Sequence, residues 1–385
     1  MTDLNGQKNV ENTNHLNQVQ LFINSTKLEC CIQELIGQYS ILENYFMTEN
    51  IDKAIQIDIT IKDSTDSSVV DDVFFIIKKC LKRCLCSDSV NGCCAMFNNC
   101  SSALDSIYKD YFYSKLKLGY PSGFDFTQAI QRRFQTSDQM EKQKLNFLIT
   151  LNNIDQSIEC IITIKKLFEE DISKLFAQET QQSKEKLSSC LNDLNAVSGR
   201  FKELLEFGFN QLYSNEIRPR LKQWCDVFQT LNHKINEEEL EQYQINDPFI
   251  QNFIKNIDQM FLSFKENLST KNQDIFTSLL ASEVANMLEK NVLKCSFSKH
   301  GGLHLDKDIR NLINYLTSIT SWSTREKYSR LSQISILLSL ETLEELFEYW
   351  NSPLAITWRL TPNEIRQILL LRSDFKSDEI RRLKL

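Results

Sequence analysis

Two adjacent aspartates, Asp71 and Asp72, are the first side chains in the sequence with a recognisable chemistry. In all-helical diphosphate enzymes, carboxylates on one helix face bind Mg²⁺ and, through it, the diphosphate. The third carboxylate of such a set is missing, because Phe75 and Ile76 stand where it would be. Two acids in a first turn, followed by the basic residues between 78 and 83, instead complement the dipole of a helix. We therefore interpret the two aspartates as structural, with a magnesium-dependent diphosphate enzyme as a distant alternative.

The segment HGGLHLD places His300, His304 and Asp306 close together in the sequence. These residue types suit metal binding, and a His-Gly-Gly run resembles part of an oxyanion loop. Gly301 and Gly302 interrupt the helical spacing that would pair the histidines, and no GxSxG motif supplies a nucleophile. With four histidines in all and no phosphate-binding GxxxxGK motif, acid–base and nucleotide chemistry have few candidate residues. The sequence predicts a polar loop here, no catalytic residue, no metal site and no cofactor.

Half of the twelve cysteines crowd into one region, between Cys80 and Cys100. Zinc sites need Cys-x-x-Cys knuckles or a set of cysteines and histidines, and neither pattern is present in this region. A reducing cytosol keeps such thiols free. We predict that most of these cysteines are buried on helices.

A more informative pattern lies near the C-terminus. In Thr361-Pro362-Asn363-Glu364, a capping threonine precedes a proline at the first helical position and a glutamate at the third, which predicts a helix start. Helical spacing puts Arg330 on the apolar flank of the preceding helix, where its charge needs a partner. Glu364 is the candidate partner. The alternative is that Glu364 only closes the capping box while Arg330 extends into solvent.

Composition indicates which elements position these residues. The 385 residues include only 9 Gly and 5 Pro, too few for the tight turns of a sandwich, barrel or propeller. We predict an all-α fold of long helices. The net charge of -7 favours a partner-binding protein over one that binds nucleic acid. No run of apolar residues has the length of a membrane span, and the first residues do not resemble a secretory signal, so we expect a cytosolic protein.

The same scarce residues suggest where the chain is divided. Gly119 to Gly123 and the pair Gly301-Gly302 are the densest interruptions. We predict a disordered leader over residues 1–17, a helical bundle over 18–122, a rod segment of long helices over 123–300, and a small C-terminal helical bundle over 301–385.

Several segments resemble a known family when they are taken in order. VVDDVFFIIKKCLKR, NDPFIQNFI and KHGGLHLDKDIRNLINYLT, and above all YSRLSQISILLSLETLEELFEYW and TWRLTPNEIRQILLLRSDFKSDEIRRLKL, are similar to the C-terminal half of the fourth subunits of the conserved oligomeric Golgi complex. The resemblance extends from about Leu42 to the last residue. It implies an elongated rod of successive antiparallel helical bundles.

The resemblance also implies a function. Members of this family tether vesicles in retrograde transport within the Golgi and thereby maintain glycosylation. They act without catalysis, peripheral to the cytoplasmic face of the Golgi membrane, by binding fellow subunits, SNAREs and their regulators, and Rab proteins. A free-standing helical adaptor outside the complex is the alternative that we keep open.

For individual residues, the resemblance implies that Arg330 and Glu364 form a structurally and functionally sensitive pair. Trp358, Arg359 and Arg366 lie in the same resembling segment and are the further candidate interaction residues. From Arg359 to the last residue, seven basic residues stand against four acidic ones. Solvated ion pairs account for such a balance, and contact with an anionic lipid or an acidic partner is the functional alternative.

Overall fold

The computed structural model describes residues 26–60, 64–121, 137–320, 324–350 and 358–383. The predicted leader, residues 1–17, lies outside them. Regular structure in this part of the chain is helical, and β-pairing is limited to two isolated bridges, Thr60 with Ser67 and Phe297 with Arg372. The prediction of an all-α fold is therefore confirmed. None of the described helices combines the length and the hydropathy needed to span a bilayer.

The first half of the chain forms helices that we number in chain order. They are α1 (Lys27–Gln56), α2 (Val69–Leu85), α3 (Val90–Ala103), α4 (Lys109–Lys117), α5 (Ser137–Leu175), α6 (Gln181–Leu212) and α7 (Arg218–Asp226). Single π-turns, Leu104–Tyr108 and Tyr213–Ile217, join α3 to α4 and α6 to α7 without a break in the helical path. The second π-turn directly precedes the first turn of α7, which contains Pro219, a residue without the N–H that a regular helix needs.

Eight further helices follow in the described part of the chain. They are α8 (Glu237–Ile245), α9 (Pro248–Lys265), α10 (Thr270–Val292), α11 (Lys299–Ser318), α12 (Ser329–Ser339), α13 (Glu345–Trp350), α14 (Pro362–Leu369) and α15 (Ser377–Arg381). Their starts follow local signals. Asp247 accepts a hydrogen bond from the Ile250 amide with Pro248 at the first position of α9, and Thr361 and Glu364 form the predicted capping box of α14.

The chain divides into two compact units that interleave in sequence. Unit 1 is Met1–Lys117 with Asn153–Glu206, and unit 2 is Leu118–Asn152 with Phe207–Leu385. Helices α5 and α6 each contribute residues to both units, which is why neither unit is a continuous stretch of chain. The division at residues 122 and 300 stays a prediction.

An aromatic cluster forms the centre of unit 1. The Tyr108 ring lies 4.7 Å from the Phe112 ring, 5.9 Å from Phe201 and 6.0 Å from Phe74, measured between centroids. Tyr108 is fully buried, and its hydroxyl is hydrogen-bonded to Ser157 Oγ at 2.9 Å. Burial of aromatic surface is the main stabilising contribution here, and the Ser157 bond removes the cost of a buried hydroxyl.

Of the six cysteines between Cys80 and Cys100, five are buried, as the sequence predicts. Cys80, Cys84, Cys93, Cys94 and Cys100 are buried among helices, and none of the twelve cysteines forms a disulfide. Cys86 is exposed. Burial raises the pKa of Cys80 to about 12, which keeps this thiol protonated and unreactive at neutral pH.

A buried cation anchors the last part of unit 2. The Arg372 side chain is fully buried, and its Nη1 donates to the carbonyl oxygens of Leu338, at 2.7 Å, and Leu340, at 2.8 Å. Its other nitrogens bond to Asp374 at 2.9 and 2.7 Å, and the guanidinium lies 4.2 Å from the centre of the Phe375 ring. Every direction around this charge is thus occupied by an acceptor or an aromatic face.

The structure corrects the prediction for the HGGLHLD segment, which is helical rather than a loop. Helix α11 begins at Lys299 with Ser298 as its N-cap and includes both Gly301 and Gly302. A Cβ at Gly301 would overlap the carbonyl oxygen of His233, and a Cβ at Gly302 that of Leu338. The glycines are therefore required by the close approach of neighbouring backbone, and not by a turn.

Candidate functional site

Three helices of unit 2 converge on Arg330, the candidate interaction residue at the second position of α12. Its Nη2 donates to Glu364 Oε1 at 2.8 Å and to Glu289 Oε1 at 2.9 Å. Its Nε lies 3.2 Å from Glu289 Oε1, and its Nη1 donates to the Arg359 carbonyl oxygen at 3.0 Å. We call Arg330, Glu289, Glu364 and the Arg359 carbonyl the arginine cluster.

Local sequence explains how each helix brings its residue to the arginine cluster. Tyr328, immediately before α12, is fully buried and fixes the start of that helix, while Leu331 and Ile334 pack on the inner face beside Arg330. Glu289 lies in the last turn of α10. The planar guanidinium can hold two carboxylates and a carbonyl at once, which an ammonium group cannot do with the same geometry.

Glu364 makes two connections, because it closes the capping box of α14 and also accepts a hydrogen bond from Arg330. Its Oε2 accepts from the Thr361 amide at 2.7 Å and from the Thr361 hydroxyl at 2.8 Å, while its Oε1 faces Arg330. The bonds from Arg330, with those from Thr361, lower the pKa of Glu364 to about 2. The hydrogen bonds that Arg330 donates to Glu289 and Glu364 in turn raise the pKa of Arg330 above its already high value. Arg330 and Glu364 are therefore both charged at physiological pH.

The side chains of the other candidate residues, Trp358, Arg359 and Arg366, are not part of the arginine cluster. The Arg359 backbone is held on both sides, since its amide donates to Gln333 Oε1 at 3.0 Å and its carbonyl accepts from Arg330, whereas its side chain is exposed. Trp358 is half-buried. Arg366 turns away from the arginine cluster, because its guanidinium bonds to Asn363 Oδ1 at 3.2 Å and to the Leu383 carbonyl at 2.9 Å.

Sequence reasoning missed Glu289 and Gln333. Glu289 is separated from Arg330 by 41 residues and Gln333 from Arg359 by 26. Neither belongs to a local motif, so no signal in a single sequence could have paired them.

A second polar group in unit 2 involves His304, one of the residues whose type suits metal binding. Its Nε2 lies 2.6 Å from Asp247 Oδ2 and 3.9 Å from Asp308 Oδ2, and all three residues are buried. His300 and Asp306 are not part of this group. Within the described ranges it is the one set of three such side chains whose ligand atoms lie within 4.8 Å of one another.

Proton sharing explains this group without an ion. Burial and the adjacent Asp247 charge raise the pKa of Asp308 to about 9, so Asp308 is neutral at pH 7 and donates to Asp247. Burial opposes ionisation of Asp247, but hydrogen bonds from His304 and Asp308 outweigh it and hold the pKa of Asp247 below its usual value. We interpret the three residues as a hydrogen-bonded network that connects the start of α9 to α11.

This interpretation predicts the pH dependence of unit 2. An unfolded chain releases the Asp308 proton at about pH 4, whereas the folded chain retains it until about pH 9, so this residue's contribution to stability falls as the pH rises across that interval. Asp308→Asn cannot titrate. We expect the urea midpoint of the variant, measured relative to that of the wild type, to rise as the pH increases from about 6 to about 9.

Asp226→Asn is the matched control, because Asp226 is exposed at the end of α7. Its urea midpoint should follow that of the wild type at every pH. Parallel curves for Asp308→Asn and the wild type would show that Asp308 is already ionised in the folded chain.

Comparison with known proteins agrees with the resemblance seen in the sequence. A family model described as "Conserved oligomeric Golgi complex subunit 4, C-terminal" matches residues 147–367, and "COG4 transport protein, middle alpha-helical bundle" matches residues 2–116. The chain belongs to the family of conserved oligomeric Golgi complex subunit 4. The arginine cluster falls within the C-terminal match.

Relatives with that name support the assignment in distant organisms. The protein from Bos taurus is 43% identical over 96% of this chain and 50% of its own length. The protein from Drosophila melanogaster is 43% identical over 92% of this chain and 47% of its own, and that from Arabidopsis thaliana 32% over 92% and 47%. The chain thus spans about half the length of the curated relatives it matches.

Two solved structures share the fold at low sequence identity. The C-terminal domain of the exocyst subunit Sec6p superposes with a TM-score of 0.60 at 12% identity, covering 93% of this chain and 89% of that one. M-Sec superposes with a TM-score of 0.55 at 13% identity, covering 92% and 54%. At these identities the likeness concerns the fold alone.

Proposed function

We propose that this chain is a non-catalytic subunit of a Golgi vesicle-tethering complex, acting in retrograde transport within the Golgi and thereby in glycosylation. The observation that carries the proposal is the order of the two family matches, middle bundle then C-terminal domain, together with 43% identity over 96% of the chain to a protein named conserved oligomeric Golgi complex subunit 4. The fold shared with an exocyst subunit domain fits this role.

The mechanism of such a subunit is binding. Successive helical bundles offer separate surfaces, each stabilised by its own core, so that several partners are accommodated without one large site. The partners we propose are the other subunits of the complex, SNAREs and SNARE regulators, and Rab proteins. The proposed location is the cytoplasmic face of the Golgi membrane, to which the protein is peripheral.

The arginine cluster contributes to this function by fixing the C-terminal surface. Arg330 joins α10, α12 and α14, and it holds the backbone of Arg359, whose side chain is exposed. We propose that Arg359, with Trp358 and Arg366, contributes to a partner-binding surface, and that Arg330 and Glu364 position the segment that carries it.

A free-standing helical adaptor is the second candidate. It would use the same helical surfaces and differ from the first candidate only in having no fellow subunits among its partners.

Affinity purification tests the proposal. A tagged chain expressed in its own cells should recover other subunits of the complex in comparable amounts, and the tag alone should recover none. Arg359→Glu, a change on an exposed side chain, tests whether the C-terminal surface contributes to this recovery. Recovery of the intact tagged chain without any other subunit would reject complex membership and support the adaptor.

A further inference from the structure

Helix α1 of unit 1 carries a row of large side chains that the described residues leave uncovered. The row has the spacing 4-3-4-3-4, and its members are exposed except for Tyr39, which is half-buried. Its members are Leu28, Ile32, Leu35, Tyr39, Leu42 and Phe46. We call this set the α1 row. Leu35 and Leu42, near its middle, are each 68% exposed.

The α1 row is separate from the face by which α1 packs. Met47, Ile51 and Ala54 are the buried apolar residues of this helix, and α2 and α3 pack against it within unit 1. At 100° per residue, these three residues lie about 100° around the helix from the α1 row. The row is therefore an apolar seam that has no partner among the described residues of unit 1.

The spacing of the row indicates what covers it. Alternation of three and four residues is the heptad pattern that lets two helices interlock side chains along a common seam. This pattern favours a helix as the occupant.

The charge near the α1 row favours an acidic partner. The exposed side of α2 carries three lysines, Lys78, Lys79 and Lys82, next to Arg83, which is paired with Glu43 of α1, in a chain whose net charge is -7. This basic side borders the α1 row, because the Arg83 guanidinium lies 5.0 Å from the centre of the Phe46 ring. A helix seated on the row would bring its flank next to these cations.

Helix α2 carries one exposed aromatic ring among these cations. Phe75 is 62% exposed, with Lys79 Nζ 5.1 Å from its centre. Exposed aromatic surface is thus present on α2 as well as on α1.

We propose that the α1 row and the basic side of α2 form a docking surface for an amphipathic helix of another protein, with an apolar heptad seam and an acidic flank. This deepens the proposed function, since a tethering subunit acts through the proteins it binds. The hydrophobic seam supplies affinity, and the cations on one side fix the direction and register of the docked helix.

A synthetic peptide tests the surface on the purified full chain. The probe has four heptads with leucine at the two seam positions and glutamate at both flanking positions, so that self-pairing is weakened by repulsion. We expect it to bind in isothermal titration calorimetry. A peptide with lysine in place of every glutamate should bind at least about tenfold more weakly.

Two variants locate the binding. Leu35→Asp combined with Leu42→Asp should abolish it without unfolding the chain, because both side chains are largely exposed. Lys79→Glu combined with Lys82→Glu should remove the preference for the acidic peptide. Leu118→Asp, a change at a still more exposed leucine outside the surface, should leave binding unchanged.

Other outcomes overturn the proposal, and each assigns the surface differently. Absence of peptide binding, or equal binding of both peptides, rejects an acidic helix as the occupant. Self-association in light scattering that is lost in the Leu35→Asp/Leu42→Asp variant assigns the row to a second copy. Binding to phosphatidylserine vesicles without peptide binding assigns it to lipid, and peptide binding only after removal of residues 1–25 assigns it to the chain's own start. None of these results bears on complex membership, which the purification tests separately.

Discussion

Gly302→Ala is expected to lower the free energy of unfolding of unit 2 by about 3 kcal/mol, the upper part of the range for overpacked cores. The new Cβ would overlap the Leu338 carbonyl and lie 2.8 Å from the Ser339 amide nitrogen. The carbonyl cannot simply move aside, because it also accepts the bond from Arg372. The gain in helix propensity from glycine to alanine, about 1 kcal/mol, is too small to compensate.

Gly199→Ala is the matched control for this prediction. Gly199 also lies inside a helix, α6, but a Cβ there would meet nothing within 4 Å. It should be neutral or stabilising by up to about 1 kcal/mol. Urea unfolding of both variants, with circular dichroism as the probe, measures the difference. Equal stability of Gly302→Ala and the wild type would contradict the close approach of α11 to the end of α12.

Arg330→Ala has the second largest expected effect, a loss of about 2–3 kcal/mol in the stability of unit 2, as for hydrogen bonds to charged groups. The substitution removes bonds to two carboxylates and a carbonyl and leaves Glu289, whose side chain is only 19% exposed, without its counter-charge. Arg330→Lys should recover only part of the loss, because a lysine lacks the forked geometry.

A double-mutant cycle with Glu364→Ala isolates the direct contact. The capping bonds of Glu364 to Thr361 are lost in both backgrounds and therefore cancel, which leaves a coupling of about 1 kcal/mol. Lys376 and Glu379, an exposed pair 3.2 Å apart, are the control and should show nearly additive effects. If Arg330→Ala and Glu364→Ala are also additive, the contact is absent in solution.

Local signals in the sequence predicted the fold class and the helix starts of the site. The scarcity of glycine and proline indicated long helices, and Thr361 with Glu364 gave the start of α14, because capping depends on residues within one turn. The possible pairing of Arg330 with Glu364 followed from the need of a cation on an apolar flank for a counter-charge.

Contacts between distant segments could not be predicted. Helix propensities predict a break at Gly301 and Gly302, but they describe an isolated helix. Here the close approach of neighbouring backbone requires glycine at both positions inside a continuous helix. Asp247 meets His304 across 57 residues, and only the packing of α9 against α11 brings them together. The exposure of the α1 row is likewise a tertiary property, since its residues have the same types as those of a core.

The buried position of Arg372 has a consequence for premature stop codons. A chain that ended before this residue would lose the partner of the Leu338 and Leu340 carbonyls and also the bond that the Ser373 amide donates to the Phe297 carbonyl. The truncated product would thus lose contacts made by α12 and the start of α11, far from its own end in sequence. Nonsense alleles that remove only this last stretch should therefore behave as misfolding alleles, with protein cleared by quality control.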